Sequence, residues 1–180
     1  MAVAAKSDSM FFQPGNWFAL NVKSRHEKTV AQLLSLKGFE TFLPLYARHH
    51  QYARRARKFD LPLFPGYLFC RFNPTACLFI AMTPGVLRIV GSGRFPIPVD
   101  CREIEMIQQA IDARVSMVPH PYWRAGQTGR ITSGALAGIE GLVVSNRHPM
   151  RLVLSVSLLQ RSVLLEIEPD RVELMAEAGA

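Results

Sequence analysis

One run, residues 63–72, constrains the fold of this chain more than any other because it is apolar on both faces when extended. Side chains of a β-strand alternate between its two faces. The apolar residues form two sets, Leu68, Cys70 and Phe72 on one face and Tyr67 and Phe69 on the other. An antiparallel strand normally gives one face to the core and one to water, so this strand is either covered on both sides or offers one face to a partner. In a chain of only 180 residues the second arrangement is a serious alternative.

Length and charge narrow the class of protein. The chain is long enough for one ordinary domain or two small ones. Lys and Arg outnumber Asp and Glu by 21 to 14, which favours phosphate-bearing partners. The 3 cysteines form no C-x-x-C pair, which fits a reducing, cytoplasmic setting. No apolar run reaches the length of a membrane span, so contact with a membrane is not predicted.

Hydrophobic periodicity predicts an N-terminal domain over residues 16–113, after a flexible tail of residues 1–15. A strand over residues 17–22 is followed by a helix, with Ser24 as its N-cap and Glu27 completing a capping box. The predicted order of elements is β-α-β-β-α-β-α. This order indicates an α+β fold in which helices flank a mainly antiparallel sheet.

The rest of the chain has a different composition. Residues 114–125 contain two prolines and lack periodicity, so we predict a linker there. Residues 126–176 combine closely spaced glycines with alternating strands, which is typical of a small β-barrel. The chain therefore reads as two domains joined by a linker.

The sequence lacks the residue patterns of an active site. Catalysis needs a nucleophile, acid, base or metal in a common geometry. The 5 histidines do not show zinc-ligand spacing, and the cysteines are scattered. We therefore predict a protein that is not an enzyme and that has no cofactor and no metal.

Five motifs occur in an order and spacing typical of one protein family. They are Trp17-Phe18, the capped helix with Glu27, Phe42-Leu43-Pro44, residues 63–69, and residues 83–86. Together they closely resemble the N-terminal domain of the NusG family of transcription elongation factors. Residues 126–144, with their turn at residues 138–141, resemble the KOW motif that follows this domain in the family.

The resemblance implies both a fold and a function. The fold is α+β: an N-terminal antiparallel sheet of four strands with flanking helices, then a small SH3-like β-barrel (KOW). The function is that of a bacterial transcription elongation or antitermination factor that binds the RNA polymerase clamp helices, suppresses pausing and raises processivity. A short basic hairpin and the Leu-Phe-Pro-Gly-Tyr motif favour an operon-specialised paralogue of the RfaH type. The alternatives are a housekeeping member coupling polymerase to the ribosome or Rho, and a ribosome-associated KOW module that binds RNA.

The resemblance also implies contact surfaces on the N-terminal domain. The apolar patch for the clamp helices of the largest polymerase subunit comprises Phe64, Pro65, Tyr67, Phe69, Leu87 and Ile89. The positions that face non-template DNA in specialised relatives are Lys23, Arg25, His26 and Thr83. The alternative interpretation is that both faces of the strand are core and that the polar side chains are merely solvated.

Two further segments are candidate contact sites. Clustered cations favour phosphate contact, so the tip of the hairpin over residues 47–60 is expected to touch DNA or an acidic polymerase surface, unless it is simply solvated. The cations at this tip are Arg54, Arg55 and Arg57. In the barrel, the resemblance implies a loop that touches a small-subunit ribosomal protein or the terminator Rho. Its residues are Leu158, Leu159 and Arg161.

Overall fold

The computed structural model describes residues 15–52, 55–92, 95–122, 126–145 and 149–175, with backbone only for residues 49–52 and 55–58. These described residues form two compact units. Residues up to 45 and from 64 to 101 belong to the first unit, and residues 46–63 and from 102 onwards belong to the second. None of the helices in the described ranges is long and apolar enough to cross a bilayer.

Strands predominate in both units. In chain order the elements are β1 (Asn16–Val22), α1 (Glu27–Leu36), β2 (Glu40–Phe42), β3 (Leu45–Tyr52), β4 (Arg55–Pro62), β5 (Tyr67–Phe72), α2 (Cys77–Ala81), β6 (Val86–Ile89), β7 (Gly91–Ser92), β8 (Phe95–Pro96), α3 (Cys101–Asp112), β9 (Met117–Pro121), β10 (Thr128–Ile131), β11 (Glu140–Ser145), β12 (Met150–Val156), β13 (Arg161–Ile167) and β14 (Val172–Leu174). Short 3-10 turns lie at Pro74–Ala76, Ser157–Leu159 and Pro169–Arg171.

The first unit is built on an antiparallel sheet with the strand order β2-β5-β1-β6 among the described residues. The register of the central strands places Phe18 opposite Cys70 and Leu20 opposite Leu68. These side chains form one buried cluster with apolar residues of α1 and α2. The predicted α+β fold with a four-stranded antiparallel sheet is thus confirmed.

The predicted capping box at the start of α1 is wrong. Ser24 lies inside a tight turn, in which the His26 N–H donates to the Lys23 carbonyl at 3.0 Å. The N-cap residue is therefore His26, and Glu27 is the first helical residue. The Glu27 carboxylate has its partner elsewhere in the chain. It accepts a hydrogen bond from the Gly66 N–H at 2.9 Å.

The backbone forms the predicted hairpin, whereas the side chains at its tip are not described. β3 and β4 pair with each other as a two-stranded ribbon. Arg54, at the predicted tip, lies outside the described residues. For Arg55 and Arg57 the structure describes the backbone of β4 only. The predicted contact of these three side chains with DNA therefore stays a prediction.

The second unit contains an antiparallel sheet with the strand order β14-β10-β11-β12-β13-β9 in the described part of the chain. Alternate residues of β12 and β13 are buried, as their sequence pattern predicted. They are Leu152, Leu154, Val156, Val163, Leu165 and Ile167. Helix α3 belongs to this unit, and Glu103 Oε1 accepts a hydrogen bond from the Ser157 N–H at 3.1 Å.

The predicted linker, residues 114–125, contains regular structure. Strand β9 pairs antiparallel with β13, with Met117 opposite Leu165 and Pro121 opposite Arg161. Prolines are tolerated here because β9 is an edge strand, so a missing N–H can face away from the sheet. The prolines therefore mark an edge strand and not an unstructured segment. The predicted domain limits, 16–113 and 126–176, stay predictions.

Candidate functional site

Three tight turns meet at one end of the four-stranded sheet, and we call this region the three-turn end. It comprises residues 23–26, 64–67 and 83–86, and each turn is closed by a main-chain hydrogen bond of 3.0 Å. Further main-chain bonds of 2.8 Å join the turns, from the Val22 N–H to the Gly66 carbonyl and from the Lys23 N–H to the Gly85 carbonyl. The end of β1 is therefore fixed to both of the other turns.

Two of these turns carry Pro-Gly at their centre. Gly66 has a φ of +81° and Gly85 a φ of +93°. This is the arrangement of a type II turn, in which proline presets the second position and glycine tolerates the positive φ of the third. A Cβ atom on Gly85 would lie 2.7 Å from Cγ2 of Val30, whereas the nearest atom to a Cβ on Gly66 would be 3.9 Å away. The turn of residues 83–86 is thus packed directly on α1.

The turn of residues 23–26 presents polar side chains to solvent. Lys23, Ser24, Arg25 and His26 are all exposed. Arg25 has a φ of +64°. This left-handed conformation costs a residue with a Cβ atom roughly 1–2 kcal/mol. Backbone strain of this kind persists only where the surroundings enforce it, and it is common in binding sites.

Glu27 connects this cationic turn to the Pro65-Gly66 turn. Glu27 is buried, with 5% of its surface exposed. Its Oε1 atom accepts the Gly66 N–H at 2.9 Å. On the other side, the Gly66 carbonyl accepts the Val22 N–H at 2.8 Å and Asn21 Nδ2 at 3.3 Å. Both main-chain polar groups of Gly66 are therefore held by side chains or backbone of β1 and α1.

The sheet face opposite the buried core cluster has an aromatic part and a polar part. In the aromatic part, the ring centroid of Phe69 lies 6.0 Å from that of Phe42 and 5.7 Å from that of Phe64. Trp17 extends the group, 6.4 Å from Phe42. Phe64 and Phe69 are only 1% and 0% exposed. In this structure the two rings pack on each other and on their aromatic neighbours, and their predicted contact with a partner stays a prediction.

The polar part is a row of side chains across three strands. Tyr67 lies opposite Asn21, which in turn lies opposite Arg88. Directly paired residues of antiparallel strands project to the same side, so the three side chains form one row. Tyr67 and Asn21 are half-buried, whereas Arg88 is exposed. Pro65, two positions before Tyr67 in the chain, is also exposed. Pro65 and Tyr67 are thus the predicted patch residues that the structure brings together at the surface of this turn.

The two predicted patch residues on β6 lie in different environments. Ile89 lies opposite Leu20 and packs against the buried cluster on the helix side of the sheet. Leu87 is 64% exposed. The pairing of β1 with β6 also shifts register between Asn21 and Val22. The six predicted residues do not form one continuous surface.

Thr83 is not free to contact nucleic acid in this structure. The residue is 1% exposed. Its hydroxyl accepts a hydrogen bond from Lys37 Nζ at 2.8 Å and donates one to the Phe79 carbonyl at 3.1 Å. The hydroxyl thus joins the end of α1 to the end of α2. Thr83 therefore has a structural role in this structure, and its predicted contact with nucleic acid stays a prediction.

The second unit places its predicted partner residues at the connection between β12 and β13. Leu158 and Leu159 lie in the 3-10 turn Ser157–Leu159, and Arg161 begins β13. Leu159 is only 8% exposed, whereas Leu158 is half-buried and Arg161 is exposed. Of the three predicted residues, Leu158 and Arg161 are therefore the two with surface open to a partner.

Two residues that lie next to the three-turn end were not predicted from the sequence as site residues. Arg88 stands alone among apolar residues of β6, and a lone cation in such a strand is the signal that could have been used. Glu27 was recognised as important for the helix start, but its partner Gly66 is 39 positions away in the chain. A partner at that distance leaves no local signal.

The thiols of Cys70 and Cys77 are not reactive groups in this structure. Burial, with a smaller contribution from the Glu40 carboxylate, raises the pKa of the Cys70 thiol to about 12. Burial also raises the pKa of the Cys77 thiol. Such thiols stay protonated at neutral pH and are poor nucleophiles. In the described ranges, no group of three or more His, Cys, Asp or Glu side chains could hold a metal ion.

Comparison with known proteins shows the family. The family model described as "Transcription termination factor nusG" matches residues 15–108, and the chain belongs to the NusG family. It is 28% identical over 114 residues to the transcription termination/antitermination protein NusG of Helicobacter pylori, covering 62% of this chain and 65% of that protein. The protein of the same name from Campylobacter jejuni is 29% identical over 114 residues, covering 62% of this chain and 64% of that protein.

A solved structure shares the fold. "Domain interaction in Thermotoga maritima NusG" matches with a TM-score of 0.55 and 20% identity, over 89% of this chain and 97% of that chain. At this identity the likeness concerns the fold alone. The match to the Helicobacter pylori relative spans 65% of that protein's length.

Proposed function

We propose that this protein is a bacterial transcription elongation or antitermination factor that works with RNA polymerase in the cytoplasm. The observation that carries the proposal is the family match over residues 15–108, which contains the whole three-turn end. The names of the relatives, transcription termination/antitermination proteins, support the same role. We propose that it acts by binding and not by catalysis, without a cofactor.

The proposed polymerase contact is centred on Pro65 and Tyr67. Pro65 is exposed and Tyr67 is half-buried, so an apolar ring surface and a phenolic hydroxyl are both offered to a partner. A partly exposed tyrosine on a rigid turn is a good anchor because little side-chain freedom is lost on binding. Phe64 and Phe69 lie underneath as support. As the resemblance implies, the partner is the pair of clamp helices of the largest polymerase subunit.

The proposed nucleic-acid contact lies on the cationic turn. Lys23, Arg25 and His26 are exposed at the N-terminal end of α1, where the first N–H groups of a helix also favour phosphate. We propose that this turn touches non-template DNA while the Pro65-Gly66 turn holds the polymerase. Residues 23–26 and 64–67 are joined through β1, which supports simultaneous contact.

A further proposed contact belongs to the second unit. Leu158 and Arg161 are the two predicted partner residues that keep exposed surface beside the 3-10 turn Ser157–Leu159. We propose that they contact a small-subunit ribosomal protein or Rho, as the resemblance implies.

The most specific proposal is that the protein has an operon-specialised role. Transcription in vitro on templates with and without the upstream region of the protein's own operon tests it, and equal processivity on both would contradict it.

The test of the polymerase contact is the Tyr67→Ala variant. Binding of the full chain to a peptide pair of the clamp helices should weaken about thirtyfold, because an interfacial aromatic anchor carries about 2 kcal/mol. The stability of the protein should fall by only about 1 kcal/mol, because Tyr67 is half-buried. Binding is measured by titration calorimetry and stability by urea unfolding.

Phe72→Ala is the matched control. Phe72 lies on the same strand, is 1% exposed and packs on Phe18 with a centroid distance of 4.6 Å. Its truncation should cost roughly 3–5 kcal/mol of stability. If Tyr67→Ala loses as much stability as Phe72→Ala, or binds the clamp helices as tightly as the wild type, the proposed contact is refuted.

A further inference from the structure

We infer that Glu27 is a positioning residue for the proposed polymerase-binding surface. Its carboxylate holds the Pro65-Gly66 turn in one conformation and thereby sets the position of Tyr67. The inference rests on the proposed function, because the effect of Glu27 is measured through the proposed binding of Tyr67 to the polymerase. Glu27 itself is buried and does not touch the partner.

The burial of Glu27 indicates a tertiary role. A buried carboxylate is costly unless it is hydrogen-bonded, and a residue needed only to begin a helix would stay in water. Glu27 is 5% exposed, and its Oε1 atom accepts the Gly66 N–H at 2.9 Å. The first residue of α1 is thus committed to a turn that lies 39 positions further along the chain.

The bonded group is the one that decides the type of turn. Types I and II differ mainly by a rotation of the central peptide, which in this turn joins Pro65 and Gly66. The N–H of that peptide is the donor to Glu27. Rotating the peptide would break this bond and leave a buried carboxylate without its partner. Glu27 therefore selects the type II form, in which Gly66 has its φ of +81°.

The same contact couples the two proposed surfaces. Glu27 directly follows His26, the last residue of the cationic turn. The Glu27 side chain therefore fixes the distance between the proposed DNA contact and the proposed polymerase contact. Without the Glu27 carboxylate, Gly66 would keep only the hydrogen bonds that its carbonyl accepts from the Val22 N–H and from Asn21 Nδ2.

The experiment compares Glu27→Met and Glu27→Gln in the full chain. Both side chains match glutamate in length, but only glutamine keeps an oxygen acceptor for the Gly66 N–H. Glu27→Met should weaken clamp-helix binding about tenfold, because the freed turn must be ordered again on binding. Glu27→Gln should stay within about threefold of the wild type. Hydrogen exchange of the Gly66 amide, read by NMR on the folded protein, should accelerate in Glu27→Met and not in Glu27→Gln.

Two outcomes separate this inference from the proposed function. Unchanged binding in Tyr67→Ala would overturn the proposed polymerase contact of Tyr67 and this inference with it. Weakened binding in Tyr67→Ala with unchanged binding in Glu27→Met would overturn this inference alone. The double variant tests whether Glu27 affects binding through Tyr67. Adding Glu27→Met to Tyr67→Ala should weaken binding little further, and a full additional tenfold loss would refute action through Tyr67.

Discussion

Replacing Gly85 by Ala should destabilise the first unit much more than replacing Gly66 by Ala, although both glycines occupy the same position of a Pro-Gly turn. Each substitution puts a Cβ atom at a positive φ, which costs roughly 1–2 kcal/mol. At Gly85 the new Cβ would also lie 2.7 Å from Cγ2 of the fully buried Val30. Overpacking of this kind costs roughly 1–3 kcal/mol more. We therefore expect a loss of about 2–5 kcal/mol for Gly85→Ala and about 1–2 kcal/mol for Gly66→Ala.

Urea unfolding followed by tryptophan fluorescence measures both losses. Trp17 is a suitable reporter because it lies on β1 of the first unit and is 6% exposed. Trp123 lies outside the described residues and is replaced by Phe in every variant so that the signal comes from Trp17 alone. Equal slopes of free energy against urea concentration are required for the comparison.

A double-variant cycle isolates the packing contribution. Val30→Ala removes the methyl group that the new Cβ would meet. In that background Gly85→Ala should cost only its conformational part, so the two substitutions should be coupled by about 1–3 kcal/mol. If Gly85→Ala costs no more than Gly66→Ala, or if the coupling is zero, the turn of residues 83–86 is not packed on α1 as described.

Two further outcomes are expected. The buried Cys70 thiol has a pKa of about 12 against 9.0 for a free thiol, so only the unfolded chain ionises just above pH 9.0, and stability falls as the pH rises. The wild type should therefore lose roughly 1 kcal/mol more per pH unit in that range than Cys70→Ala in urea unfolding, and parallel profiles would contradict this. Arg25→Gly should keep or raise stability by up to about 1 kcal/mol, because it relieves a left-handed residue. The same variant should lower the salt slope of single-stranded DNA binding by about 0.7, and an unchanged slope would remove Arg25 from the proposed contact.

The paired faces of the central strands could be predicted from the sequence. Alternation places Phe18 and Leu20 on one face of β1 and Leu68 and Cys70 on one face of β5, and the structure pairs these two apolar faces on the same side of the sheet. The alternation in the second unit was predictable for the same reason. The α+β class follows from the order of such segments.

The candidate site was harder to predict because its decisive contacts are tertiary. Ser24 and Glu27 match a capping box locally, but the sharp turn between β1 and α1 removes Ser24 from the cap and the Gly66 N–H claims the carboxylate. Phe69 and Tyr67 share one face in sequence, yet only Phe69 is enclosed by other rings. Strand β9 pairs with β13 through its backbone, and its two prolines and short length hide it from a search for apolar alternation.

The strand order of the first unit has a consequence for folding during synthesis. Strand β1 is made early, but its neighbours in the sheet are β5 and β6, and β2 also pairs with β5. Every pairing in this sheet therefore needs a strand that begins at or after residue 67. Until then a nascent chain carries the apolar strand β1 without a partner, exposed to chaperones and to association with other chains. No pair of strands in this sheet can therefore form until β5 has left the ribosome, and the pair of β1 with β6 must wait for the later strand β6.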